Sequence, residues 1–168
     1  MTKFSDAMAF LKALGLSDEI NSFSGRKRIQ KTIYLLKQFG ADLKFGYSWY
    51  LHGPYSPELT RTLFNPSTED ANVERELTKK ELDITNRVRN FLADDFYSVD
   101  STELVVSLIY LIKHGPDQGL RSKRKIVQHL SQQKPQFGTN EIEAAWKKIE
   151  SSGMWSAPLA EIEQGGTR

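Results

Sequence analysis

The stretch from Ser24 to Leu63, SGRKRIQKTIYLLKQFGADLKFGYSWYLHGPYSPELTRTL, switches its apolar period from helix to strand and back. Ser24 is placed to cap a helix that carries Ile29, Ile33 and Leu36 on one face and stops at Gly40. Lys27, Lys31, Tyr34 and Gln38 fall on the opposite face, where solvent is expected. From Lys44 to His52 the period becomes two. Phe45, Tyr47, Trp49 and Leu51 then point one way, and Lys44, Gly46, Ser48, Tyr50 and His52 the other. A strand needs a partner, and Val73–Leu77 (VEREL) also alternates, so a small antiparallel hairpin from these two segments is expected. Between them His52-Gly53-Pro54-Tyr55 turns the chain. Ser56 and Pro57 are the residue types favoured at the cap and first position of a new helix.

The rest reads as helix. Phe4, Ala7, Met8, Leu11 and Leu14 share one face of a helix over residues 2–14, with Gly15 after it. Thr78 and Glu81 form a capping box for a helix to about Phe96, and Asp100 and Glu103 repeat it for the apolar segment Leu104–His114. Arg121–Gln132 is a further helix. Asn140 and Glu143 box the start of another, with Ile142, Ala145, Trp146 and Ile149 inward, ending at Gly153. The expected fold is mainly α (α+β). It is one compact helical domain over residues 1–155, with a small antiparallel β-hairpin and a C-terminal helix-turn-helix, winged-helix-like unit. Residues 156–168 carry no period and read as a flexible tail.

Composition narrows the chemistry. With no cysteine, disulfides and thiolate metal sites are excluded. His52, His114 and His129 lie on different segments, none with a second ligand at helical spacing, so no metal site is expected. There is no Gly-x-Ser-x-Gly elbow and no phosphate-cradling glycine loop, so no catalytic residue and no cofactor is assigned. The longest apolar run, Leu104–Ile112, is far short of the roughly 20 residues that span a bilayer. The N-terminus reads as an amphipathic helix rather than a leader, and a cytoplasmic location is expected. Charge is uneven. Residues 1–64 carry nine Lys/Arg against five Asp/Glu, residues 65–103 five against ten, and residues 104–168 nine against six.

Two surfaces stand out. Arg26, Lys27 and Arg28 sit in the first turn of their helix, where positive charge opposes the helix dipole and calls for a partner. With Lys31 and the hairpin residues Tyr50, His52 and Tyr55 they compose an aromatic and basic surface of the kind that anchors protein partners. The second is Arg121, Lys123, Arg124 and Lys125, which in a winged-helix reading would contact nucleic acid. Against that reading, the helix that follows carries Glu141, Glu143 and Glu150, which repel phosphate.

GRKRIQKTIYLLKQFG (residues 25–40) and YLHGPYSPEL (residues 50–59) resemble a family of prokaryotic proteins related to YwgA, and more distantly the Panacea or SocA-like antitoxin domain. Lys134–Trp155 suits the closing helix of that family, so the resemblance covers most of residues 24–155. Gln30, Lys31, Gly53, Pro54 and Tyr55 map onto its motif. The resemblance implies a compact helical domain that is not an enzyme. It also implies an antitoxin-like or defence-associated regulatory module whose partner is a protein such as a toxin.

Overall fold

The computed structural model describes residues 2–163. They form a mainly helical protein with one two-stranded antiparallel hairpin. The chain divides into two compact units, residues 1–102 and 103–168. Among the described residues no helix is long and apolar enough to cross a membrane.

The first unit opens with α1 (Lys3–Ala13), whose capping box joins Thr2 and Ser5, and which buries Ala7, Phe10 and Leu11. After one 3-10 turn comes α2 (Phe23–Gln38). It begins two residues earlier than the sequence implies, because Ser22 rather than Ser24 caps it: the Gly25 N–H donates to Ser22 Oγ at 2.9 Å. Gly25 is then pressed against the Glu19 carbonyl so closely that any Cβ would clash, 2.0 Å from that oxygen. The larger correction concerns the face expected to meet solvent. Lys31 and Tyr34 are buried there just as Ile29, Ile33 and Leu36 are on the other.

The cover is the extended chain after α2. Ala41, Leu43 and Phe45 turn inward, and Asp42, Lys44 and Gly46 outward, so the alternation is real. Among the described residues, however, ladder pairing is confined to β1 (Ser48–Tyr50) and β2 (Gly53–Tyr55). Val73–Leu77 is therefore not the partner strand. The HGPY turn supplies β2 itself, with Trp49 opposite Pro54 and Tyr50 opposite Gly53. Leu51, expected on the same side as Phe45, stands at the tip, 90% exposed, while Phe45 is buried. Gly53 takes φ 87°, the left-handed position that lets a two-residue turn of ordinary handedness close a hairpin.

α3 (Pro57–Phe64) starts as anticipated, Ser56 Oγ accepting from the Leu59 N–H. A short α4 (Thr68–Ala71) follows, then an irregular strap over residues 73–77. Arg75 clasps this strap. Its guanidinium donates to both oxygens of Glu81 at 2.9 Å and to Asp6 at 2.7 Å, joining α1 to the start of α5 (Lys79–Leu92). Ala93, at φ 50°, ends α5 short of Phe96, and a 3-10 turn leads to α6 (Val99–His114).

α6 starts five residues before Leu104, so Asp100 and Glu103 are not its capping box; Ser98 Oγ accepts from the Ser101 N–H instead. Glu103 belongs to the second unit, where it is fully buried 3.4 Å from Lys134. Lys134 follows α7 (Lys123–Gln133). α8 runs Thr139–Ser152, and the residue that reaches back over its start is Glu141, to the Gly138 N–H, rather than Glu143. Ile126, Leu130, Ile142, Trp146 and Ile149 are buried in this unit together with Val105, Leu108, Ile109 and Ile112 of α6. Beyond Gly153 the aperiodic segment still folds locally into α9 (Ser156–Ala160), with Ile162 buried and Glu163 bridged to Ser122. Residues 164–168 of the expected tail lie outside the described residues.

The Arg75 fork holds the Glu81 carboxyl down from 4.5 to about 2, with the Thr78 N–H adding to it. A depressed carboxylate stabilises the fold above its unfolded pKa, and that stability is lost as pH falls. Chemical denaturation should therefore show stability dropping between pH 4.5 and about 2, and Arg75→Ala should flatten that slope.

Candidate functional site

The first two turns of α2 place Phe23, Arg26, Lys27, Gln30 and Lys31 along one stripe, because residues three and four apart stack on a helix. α3 faces this stripe with Thr60 and Phe64, and the hairpin closes it with His52 and Tyr55. These side chains enclose an open cavity of about 150 Å3. Of the seven residues expected to form a partner surface, Arg26, Lys27, Lys31, His52 and Tyr55 line this cavity, and Arg28 and Tyr50 do not.

Its floor is a hydrogen-bonded clasp between α2 and the start of α3. Gln30 Nε2 donates to the Ser56 carbonyl, and the Ser56 N–H donates to Gln30 Oε1, each at 2.9 Å. The same Nε2 reaches Thr60 Oγ1 at 2.9 Å, and that hydroxyl is 2.7 Å from the Tyr55 hydroxyl. Lys31, 1% exposed, donates from Nζ to the Pro54 carbonyl at 2.7 Å. Tyr47 donates to the Gln30 carbonyl at 2.8 Å. Burial and the neighbouring Tyr34 push the Tyr47 phenol well above the usual tyrosine range, so it stays a donor. One amide side chain thus meets both backbone groups of a buried residue, sharing the carbonyl with the Thr60 N–H of α3 and giving the N–H an acceptor.

The rim is aromatic and basic. The Phe23 ring meets His52 edge to face at 5.7 Å, and the Arg26 guanidinium lies over the Phe64 ring at 5.4 Å. Phe23 is 62% exposed and Phe64 42%. Tyr50 is outside the cavity but beside it, packed on Tyr55 at 5.2 Å as a diagonal pair across the hairpin. Arg28 points elsewhere: its guanidinium donates to the Tyr97 carbonyl at 3.0 Å and lies 3.7 Å from Glu19. Phe23, Thr60 and Phe64 escaped the sequence reading. Recognising Ser22 as the cap would have put Phe23 on the Arg26–Gln30 stripe.

The alternative basic group is less uniform. Lys123 is held by Glu143 at 3.0 Å and sits 5.2 Å over the Trp146 ring, and Arg121 Nε donates to the Pro116 carbonyl. Arg124 and Lys125 are exposed at the start of α7. After α8 the chain forms α9, and residue 163 pairs with residue 122. Among the described residues no three His, Asp or Glu side chains gather to hold a metal ion. No family model, curated protein or solved structure matches this chain.

Replacing Gln30 leaves the buried Ser56 N–H without its acceptor, which costs roughly 1–3 kcal/mol, while the Ser56 carbonyl keeps the Thr60 N–H. Urea denaturation should show Gln30→Ala destabilised by about 2 kcal/mol, and Thr60→Val, at a partly exposed residue, by about 1 kcal/mol or less.

Proposed function

We propose that this chain is a non-enzymatic regulatory module that binds a partner protein through the cavity formed by α2, the hairpin and α3. The observation that carries the reading is the combination found there. A preformed recess of about 150 Å3 is ringed by Phe23, Phe64, Arg26 and Lys27, and the hairpin tip beside it displays Leu51 at 90% exposure and Tyr50 at 48%. Large apolar side chains left in water beside a recess are the usual mark of an interaction site. Aromatic and arginine residues are the types that anchor such sites. Enclosed pockets for drug-sized small molecules run from roughly 300 to 1,000 Å3, so this recess suits one protruding side chain better than a whole metabolite. The likeness of residues 25–40 and 50–59 to the antitoxin-type families favours a toxin or defence component as the partner.

A photocrosslinking residue placed at Leu51 or Phe23, in the cells that make this protein, tests the reading. The expected result is one discrete protein adduct from each position and none from Leu82, an exposed apolar residue on α5. The adducts should survive nuclease treatment. No adduct from either position, or the same adducts from all three, contradicts it, and adducts that nuclease removes transfer the function to nucleic acid.

A further inference from the structure

The chemistry of the recess goes further than the statement that a protein docks there, although it rests on that reading. Arginine, lysine and histidine side chains contribute to the lining, and no carboxylate does. The charges are not spread evenly. Arg26 and Lys27 stand at the mouth, half-buried on α2, whereas Lys31 lies beneath, with its amine on the Pro54 carbonyl. The walls between them are rings: Phe23 and His52 on one side, Phe64 under Arg26 on the other. A carboxylate from a partner entering here would meet complementary charge at Arg26, whereas a lysine or arginine would meet no carboxylate among the lining residues.

We infer that the occupant is an acidic peptide segment of the partner, with one aromatic or aliphatic side chain inserted in the recess and an aspartate or glutamate beside it at the mouth. The recess holds the volume of a single side chain, which fixes one anchor rather than several. An aromatic anchor gains the offset or edge-on contacts that Phe23 and Phe64 offer. The flanking acid pairs with Arg26, where partial burial reduces screening by salt. Leu51 and Tyr50 extend the apolar contact along the hairpin for the residues that follow. A nucleic acid would satisfy the cations as well. It needs a track of positive charge along its backbone, however, and residues 65–103 of this chain carry twice as many acids as bases.

Selection of a random peptide library displayed on phage decides the matter, run in parallel on the full chain, on R26E/K27E and on F23S. Melting curves for both variants should overlay the parent, since all three positions are at least partly exposed. The expected winners on the parent carry Phe, Trp, Tyr or Leu within two residues of Asp or Glu. Synthetic versions should bind R26E/K27E and F23S about tenfold more weakly or worse. Winners without acidic residues, or with basic ones, overturn the inference and leave partner docking itself to stand on the crosslinks. No enrichment on the parent over R26E/K27E overturns it too; crosslinks from Leu51 that persist would then place docking outside the recess.

Discussion

A glutamine side chain that hydrogen-bonds both backbone groups of one buried residue is the constraint on which the first unit depends. Ser56 lies where the hairpin ends and α3 begins, 0% exposed, so its N–H and carbonyl cannot be left to water. Gln30 meets both, as a neighbouring strand would. Because Gln30 belongs to the middle of α2, this ties the local geometry of the Gly-Pro-Tyr-Ser bend to the rotation of that helix. Lys31 adds a second tie two residues back, at Pro54, and Tyr47 a third from the chain leading into the hairpin. The cavity is a consequence. Once Ser56 and Pro54 are drawn onto α2, Tyr55 and His52 must face the stripe that Phe23, Arg26 and Lys27 occupy.

The same ties explain why α2 is buried on two sides. An amphipathic helix at a surface has one wet face, and the residues opposite Ile29 and Ile33 look wet by composition, with Lys27, Lys31, Tyr34 and Gln38 among them. Lysine and tyrosine become acceptable there because each carries a long apolar stem and a polar tip, and the tip of Lys31 ends on a backbone carbonyl. The aromatic segment after α2 lies over that face, with Tyr47 edge-on to Tyr34 at 5.1 Å.

Much of this architecture is legible in the residues alone, and the failures share a cause. Periodicity and capping chemistry are local, so α1, α3 and the cores of α7 and α8 follow from spacing and, for α3, from Ser56 as its cap. What escapes is set by partners far away in sequence. VEREL alternates like a strand, yet Arg75 is spent on Asp6 and Glu81, and no strand pairs with it. Asp100 and Glu103 have the spacing of a capping box, but Glu103 is drawn inside against Lys134, 31 residues away. At the site, the five gathered residues were recognisable as aromatic and basic types. The side chains that shape the recess, Gln30, Thr60 and Phe64, have no signature at the level of single residues, because their roles arise only when α3 folds back on α2.

The recess exists only while the bend at Ser56 stays fastened to α2 in solution. Amide hydrogen exchange followed by NMR measures it directly. The Ser56 N–H should exchange as slowly as the amides of Ile33 and Leu36 in the core of α2, and should speed up by orders of magnitude in Gln30→Ala while those core amides change far less. A Ser56 amide that exchanges at the rate of an open loop in the unaltered chain would mean that the hairpin is not held and that no preformed recess is there to receive a partner.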